Sequence, residues 1–469
     1  MSAMLSFVQD KLLVIEAVKA GREDKVQALL DSGCQQDAVD ADGRTALHWA
    51  CQYGHLTITC RLLSTAAMAV CSTCGGRWNL NAHSALHVNS ISNVHLQASR
   101  PAVTNKATLV TVSRRGDSQS SSRGRKPMSP GGREADQQTD IPGKCSCLKT
   151  RDWQLRDVIN RRDAKGQTPL HVACNFRRED VAAFLATLPL CDLDARDEQG
   201  HTPLHRAVHA NLETLAALLC DLGADVHARN ALLWTPLHEA VRTGNENVVR
   251  MLVNRGCDLN AVTHNGMTPF LTAVFYYRIA QRATYKTLDG VLRHLIEAGC
   301  RLSQGDSQWT PLSASIAIDN SIIASLLLYN GCRFERCCPT YSRSMLVEAF
   351  SRCEPLVARL MVECGYQPNN EEMELCSRRI PAFSPIFLRL PVAHAQTSLK
   401  EKYQLLQWLR QRAHNACSLM ELSRTAIRLA LNHAADDASI LRRMAQLPLP
   451  SALLDFILLQ KFTDDLTMS

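Results

Sequence analysis

Apolar and polar positions alternate along most of the chain in units of about 33 residues. Each unit opens with a polar stretch carrying a glycine, continues with Thr-Pro-Leu-His, and ends in two apolar segments at helical spacing. In four successive copies the threonine stands at positions 168, 202, 235 and 268. Glycine permits the positive φ of a turn and proline presets a first helical turn, so each unit predicts a turn and two helices.

This pattern resembles the ankyrin repeat. Degenerate copies begin at Gly266 and Trp309, an N-terminal unit without the hairpin covers residues 11–33, and a worn last unit covers about residues 338–370. The resemblance implies an all-α ankyrin-repeat solenoid of helix pairs with β-hairpin tips. We expect the repeated histidines to satisfy backbone groups near the helix starts rather than to bind metal or act in catalysis: His48, His171, His205 and His238.

Two spacings break the period. Thr45 and Thr168 are 123 residues apart, and the extra material runs from about Ser64 to Thr150. Thr268 and Thr310 are 42 residues apart, with the addition around residues 275–286. We expect the second addition to lengthen two helices and their connection. Packing on the next repeat and contact with a client explain its tyrosines and arginines equally well.

The segment 64–150 is rich in Ser, Gly, Gln and Asn, a composition typical of disorder. It holds 11 Lys or Arg against 4 Asp or Glu, a surplus of 7 that equals the net charge of the whole chain, +7. A basic tract can contact nucleic acid or an acidic partner. A species-specific insertion or unspliced sequence carried into the translation explains it as well. We favour these two, and expect no nucleic-acid partner.

Near the C-terminus, residues 418–431 predict a helix with a wide apolar surface. At about 100° per residue its apolar and small side chains span an arc of about 200°, whereas a face packed on one core needs little more than about 100°. A narrow polar stripe completes the helix: Glu421, Arg424, Thr425 and Arg428. Such a helix needs cover from two sides, so we expect it to lean on the repeats and offer its other side to a partner.

The C-terminal segment resembles a SOCS box. The first half of that family reads small residue-Leu-x-x-x-Cys-x-x-x-aliphatic, which Ser418, Leu419 and Ile427 match, with Leu422 in the same helix and Ser423 at the cysteine position. The second half reads Leu-Pro-aliphatic-Pro before an aliphatic and an aromatic position. It is matched by Leu447, Pro448, Leu449, Pro450, Leu454 and Phe456.

The resemblance implies partners. The first half would bind elongin B/C and the second a cullin of the fifth type with its RING protein, which makes the chain a substrate receptor of a ubiquitin ligase leading to proteasomal degradation. Ser423 is similar in size to cysteine but costs more to bury unless hydrogen-bonded, so we expect weakened rather than lost elongin binding. Two alternatives stay open: a hydrophobic C-terminal cap, and a non-ligase ankyrin scaffold with a degenerate box.

A client surface is expected on the concave side of the array, which hairpin tips and first helices form. The residue before each signature threonine projects from a tip, and aromatic residues there favour contact with a partner. The alternative is that each tryptophan packs on the neighbouring hairpin. The predicted client residues are Trp49, Trp234, Met267 and Trp309.

Composition indicates the fold class and the compartment of the protein. Aromatic residues make up only 5% of the chain, which fits a solenoid, and the 19 cysteines show no disulfide framework, which indicates a reducing compartment. Cys71 and Cys74 have metal-ligand spacing without a second knuckle, so we expect no metal and no cofactor. We find no targeting segment and no membrane span, and place the chain in the cytoplasm, with the nucleus as an alternative. No catalytic constellation supports an enzyme.

These observations predict six segments along the chain. They are N-terminal repeats (1–63), the basic insertion (64–150), further repeats (151–370), a connecting helical segment (371–415), the SOCS box of three helices (416–460) and a tail (461–469).

Overall fold

The computed structural model describes residues 13–32, 34, 37–67, 155–279, 285–306, 308–333, 344–352, 355–379, 393–414, 419–434, 439–444, 454 and 457. Residues 1–59 and 159–469 form one compact unit, and residues 60–158 form another.

The described residues confirm the all-α repeat fold. Residues 13–19 are helical, and helix pairs follow the signature threonines with their core between the layers, where Leu204, Leu219 and Leu237 are fully buried. The further helices are α1 (Glu23–Asp31), α2 (Ala46–Tyr53), α3 (Leu56–Ala67), α4 (Pro169–Asn175), α5 (Glu179–Ala186), α6 (Pro203–His209), α7 (Glu213–Asp221), α8 (Pro236–Thr243), α9 (Glu246–Asn254), α10 (Pro269–Ile279), α11 (Tyr285–Ala298), α12 (Pro311–Ala317), α13 (Ser321–Tyr329), α14 (Met345–Arg352), α15 (Pro355–Glu363), α16 (Asn370–Arg379), α17 (Ala393–His414), α18 (Leu419–Ala434) and α19 (Ile440–Met444).

The tips of the repeats are turns rather than the expected β-hairpins. An isolated β-bridge joins Val39 to Thr45, and no strand of two or more residues occurs in the described ranges. At four tips, one side-chain Oδ1 accepts backbone N–H groups two and four residues later, at 2.8–3.0 Å. These bonds satisfy the turn without a sheet. The residues that supply Oδ1 are Asp40, Asp163, Asp197 and Asn230.

The signature histidines link successive repeats. In the third repeat, Thr168 Oγ1 lies 2.8 Å from His171 Nδ1, and His171 Nε2 lies 2.9 Å from the carbonyl oxygen of His201 in the next tip. Because a carbonyl can only accept, Nε2 carries the proton and Nδ1 accepts. The same pair of contacts recurs at His48, His205 and His238, so the row is structural. Burial lowers the pKa of His171, His205 and His238 to about 4.

The first break in the period does not separate the repeats on either side. Helix α2 packs on α4, His48 Nε2 donates to the Gln167 carbonyl at 3.0 Å, and Ala164 N–H donates to the Asp42 carbonyl at 2.8 Å. Helix α3 continues to Ala67, three residues beyond Ser64, the predicted start of the insertion. The remainder of the predicted insertion, with Cys71 and Cys74, lies outside the described residues.

The second break lengthens two helices, as expected. Helix α10 has 11 residues and α11 has 14, against 7 and 8 in α4 and α5. After the last repeat, α17 packs on α15 and α16. No helix in the described part of the chain is long and apolar enough to cross a membrane.

Candidate partner-binding surfaces

Helix α18 turns Arg424 and Arg428 of its polar stripe toward the repeats, and Leu422 and Leu429 away from them. Arg424 is 8% exposed and Arg428 is 2% exposed, whereas Leu422 and Leu429 are 51% and 49% exposed. Ser423, Ala426 and Ala430 are also exposed. The wide apolar arc therefore has an uncovered side, and the two arginines lie on the side that packs.

Arg428 reaches three segments of chain. Its Nη1 donates to the carbonyl of Ile457 at 2.8 Å, and its Nη2 donates to the carbonyls of Leu328 and Tyr329 at 2.8 and 3.3 Å. Leu328 and Tyr329 end α13, where helix carbonyls have no partner within their own helix. The guanidinium also lies 3.7 Å from Cys364 Sγ, a thiol whose pKa burial raises.

Arg424 forms an ion pair with Glu363, the last residue of α15, and both side chains are 9% exposed. The side chain of Thr425, the next residue, comes close to the array. A Cβ built on Gly365, which has φ +109°, would lie 2.7 Å from Thr425 Cγ2. Any larger residue at this position would have to displace the threonine methyl and adopt a backbone conformation that favours glycine.

The predicted elongin residues are partly described. Leu422 and Ser423 lie on the exposed side of α18, and Ile427 is half-buried. Leu419 begins the helix, but its side chain, like residue Ser418 as a whole, lies outside the described residues. An exposed apolar strip rimmed by polar residues is typical of a protein interaction site.

The predicted cullin residues mostly lie outside the described residues, which exclude Leu447, Pro448, Leu449, Pro450 and Phe456. Leu454 is helical and half-buried, and Ile457 is buried at 1% exposure. The Ile457 carbonyl receives Arg428, so this part of the box is attached to α18.

The predicted client residues are all half-buried at the tips or on a first helix. Trp49 Nε1 donates to Asp40 Oδ2 at 2.8 Å, and the ammonium of Lys19 lies 3.8 Å from the ring centroid. Trp309 meets Phe275 edge to face, with centroids 6.2 Å apart.

The other two client residues hold the neighbouring repeat. The carbonyls of Trp234 and Met267 receive His205 and His238 from the preceding repeat. Each of these positions thus combines a structural role with a partly exposed side chain.

Sequence reasoning missed an apolar tip beside Trp234. Leu232 is 60% exposed and Leu233 is 38% exposed. Leu233 has φ 59°, at the position where neighbouring tips carry Gly200 and Gly266. A bulky residue in the left-handed region is strained by roughly 1–2 kcal/mol. The replacement of glycine by leucine within the repeat was the signal available in the sequence.

The described parts of these surfaces consist of apolar side chains, arginines and hydrogen-bonded histidines. Both ring nitrogens of each signature histidine are engaged, and no group of three or more His, Cys, Asp or Glu in the described ranges could hold a metal ion. The cysteines that the structure describes are free thiols.

Comparison with known families agrees with this geometry. A family model for ankyrin repeats in three copies matches residues 10–96 and 152–230, one for a single ankyrin repeat matches residues 233–264, and one for the SOCS box matches residues 415–458. A fowlpox virus (strain NVSL) protein described as an ankyrin repeat protein is 38% identical over 50 residues. That alignment spans 11% of this chain and 36% of the viral protein.

Proposed function

Because this chain belongs to the ankyrin repeat and SOCS box family, we propose that it is a substrate receptor of an elongin B/C–cullin–RING ubiquitin ligase. The domain combination supports an adaptor role of this general kind. Ankyrin repeats and SOCS boxes are non-catalytic interaction domains. The ligase partners would transfer ubiquitin, and this chain would contribute proximity between client lysines and the charged conjugating enzyme.

One observation carries the proposal: the apolar side of α18 is exposed while its arginines are buried. A hydrophobic cap for the repeats would turn Leu422 and Leu429 inward, yet about half of each side chain is open to solvent. Exposure of a leucine strip is costly in water and is recovered when a partner covers it. Elongin C is the partner that the SOCS box implies.

The finer partners belong to the proposal as well. We assign the Leu-Pro-Leu-Pro segment at residues 447–450 to a cullin of the fifth type, and the ankyrin tips to a protein client destined for the proteasome. The apolar tip at Leu232 and Leu233 extends the predicted client surface around Trp234. Free thiols in the described ranges favour a reducing compartment, the cytoplasm or the nucleus.

The test is co-purification of the full chain with elongin B/C. Wild type should retain both elongins, and the double substitution Leu422→Ala with Leu429→Ala should lose them. Two central leucines of an interface cost about 2 kcal/mol or more when truncated, roughly a thirtyfold loss of affinity. Thermal stability of the free chain should hardly change, since both side chains are exposed there.

Leu375→Ala is the matched control, because Leu375 is 43% exposed on α16, a helix outside the box. It should bind elongins like wild type. A wild-type chain that fails to bring down elongin B/C would support the non-ligase scaffold instead. Equal retention by the double variant and wild type would move the binding face away from this side of α18.

A further inference from the structure

The two sides of α18 have opposite environments. At about 100° per residue, the exposed positions 422, 423, 426, 429 and 430 centre on one direction, and Arg424 with Arg428 centre on a direction about 180° away. A charged side chain that is almost fully buried is costly unless it is paired and hydrogen-bonded. Both arginines are paired, and each has a partner in the last repeats.

We infer that Arg424 and Arg428 are positioning residues, which latch the SOCS-box helix to the last repeats and do not themselves contact elongin. The identity of the partner on the outer side rests on the proposed function; the latch does not. Array and box then move as one body, and the separation between client surface and elongin-binding side is set by the fold.

Arg428 is the centre of the latch. Its planar guanidinium donates in several directions at once, which a lysine ammonium on a flexible stem does less well. It joins the C-terminal end of α13 in the array to the Ile457 carbonyl in the second half of the box. The C-terminal end of a helix carries a partial negative charge, which favours a cation. The guanidinium therefore suits the last carbonyls of α13 both as a hydrogen-bond donor and as a positive charge.

A second set of contacts meets the same end of α13. Asn330 follows the last residue of that helix, its carbonyl accepts from the Ile440 N–H at 3.1 Å, and its Oδ1 accepts from Ser439 Oγ at 2.6 Å. Ile440 and Met444 of α19 are buried, at 0% and 1% exposure. The start of α19 is therefore fixed to the same point as α18.

Glu363 supplies a second anchor one repeat further on. It ends α15, and its ion pair with Arg424 lies beside the close approach of Thr425 to Gly365. Two anchors on different repeats resist rotation of α18 about a single contact. Positioning of this kind matters for a receptor, because transfer depends on the placement of the client relative to the conjugating enzyme.

Amide hydrogen exchange on the free full-length chain tests the latch without any partner. Arg428→Gln should raise exchange in residues 326–332 and 419–431 together, by about tenfold or more. Glu363→Gln, placed in the array and outside the box, should raise exchange in residues 419–431. The double swap Glu363→Arg with Arg424→Glu should restore protection lost in Arg424→Glu alone. Arg378→Gln is the control, since Arg378 is exposed and pairs with Glu374 on its own helix.

Elongin B/C affinity of the same variants separates positioning from binding. The latch predicts affinities within about threefold of wild type for Glu363→Gln and for the swap. Unchanged exchange in both Arg428→Gln and Glu363→Gln would overturn it. A loss of elongin affinity beyond about tenfold in Glu363→Gln would overturn it too, whatever the exchange. If wild type binds no elongin, the proposed function fails while the exchange result still decides the latch.

Discussion

His48 and Gln167 are 119 residues apart in sequence, yet His48 Nε2 donates a hydrogen bond of 3.0 Å to the Gln167 carbonyl. The equivalent bond between adjacent repeats, from His171 to His201, spans 30 residues at 2.9 Å. The repeats before and after the inserted segment therefore stack as ordinary neighbours. Stacking in a solenoid depends on nearest-neighbour contacts, and here the first helices and the tips make such contacts across the inserted segment.

Removal of the inserted segment should leave the array stable. Deleting residues 68–150, so that Ala67 joins Arg151, preserves α3 to its end and shortens a long connection. Loop-closure entropy changes slowly with length, so the melting temperature should stay within a few degrees of wild type or rise. Differential scanning calorimetry measures it. His48→Ala, which breaks the link between repeats, should lower it, and a larger loss in the deletion would show that the segment supports the fold.

The repeat signature predicted most of the architecture because each of its residues has a local mechanical role. Threonine and histidine close the helix start, and glycine or asparagine shapes the tip. The end of α3 was not predictable in this way: nothing after Leu63 marks a helix stop, and the helix continues to Ala67. Each of four tips keeps a backbone hydrogen bond across the turn, as from the Asp163 N–H to the Gln167 carbonyl, and the Asp or Asn side chain accepts two further N–H groups, so the tip is closed without strands.

Ser423→Cys should maintain or increase elongin B/C affinity. Ser423 is exposed in the free chain, so the exchange should leave thermal stability nearly unchanged, within about 0.5 kcal/mol. A thiol then loses less on burial against elongin than a hydroxyl. Isothermal titration of both proteins with elongin B/C compares the affinities. Clearly weaker binding by the cysteine variant would mean that the hydroxyl makes a favourable contact at the interface.

The orientation of α18 could not be derived from its sequence. Periodicity shows that Arg424 and Arg428 share a side, but not which side packs, and charged side chains are rarely buried without partners. Their partners are carbonyls of α13 and the carboxylate of Glu363, which only the assembled repeats bring together. The sequence predicted two environments for the helix and left their assignment to tertiary contacts.

The histidine row makes stability depend on pH. The folded pKa of His171, His205 and His238 is about 4, below the ordinary value of 6.5, so the unfolded chain binds protons that the folded chain does not. Their contribution is present above about pH 6.5 and is lost as pH falls toward about 4. Urea unfolding between pH 7 and pH 5 should show the free energy of unfolding falling as the pH falls. Near pH 5, unfolding should take up about one proton per histidine of the row.

A substitution at one signature histidine distinguishes protonation of these histidines from protonation of other groups in the protein. His205→Asn removes one titrating group and should give a shallower pH dependence, at the cost of about 1–3 kcal/mol at pH 7 from broken buried hydrogen bonds. His227→Asn is the control, because His227 is exposed. Equal pH slopes for the His205 variant and wild type would contradict the assignment.

The client surface makes the most specific prediction. Leu232, Leu233 and Trp234 form a partly exposed apolar tip, in which Leu233 adopts a backbone conformation that glycine adopts without strain. Leu233→Gly should therefore leave stability unchanged or raise it by up to about 1 kcal/mol, while a residue selected for packing would destabilise when removed. Chemical denaturation provides the comparison, and Leu222→Ala, a substitution at another exposed leucine, is its control.

Client binding should weaken on substitution at this tip, although the stability of the fold should not. Trp234→Ala with Trp309→Ala, and separately Leu232→Ala with Leu233→Gly, should each remove proteins from the set labelled by proximity labelling, with the proteasome inhibited so that clients accumulate. A hot-spot residue costs about 2 kcal/mol or more when truncated, enough to deplete a client about thirtyfold. Elongin B/C should remain in every set, because α18 is distant in sequence and its outer side is untouched.

A labelled set identical to that of wild type would make these side chains structural. A set that collapses only when residues 68–150 are deleted would instead make the insertion the recruiting element.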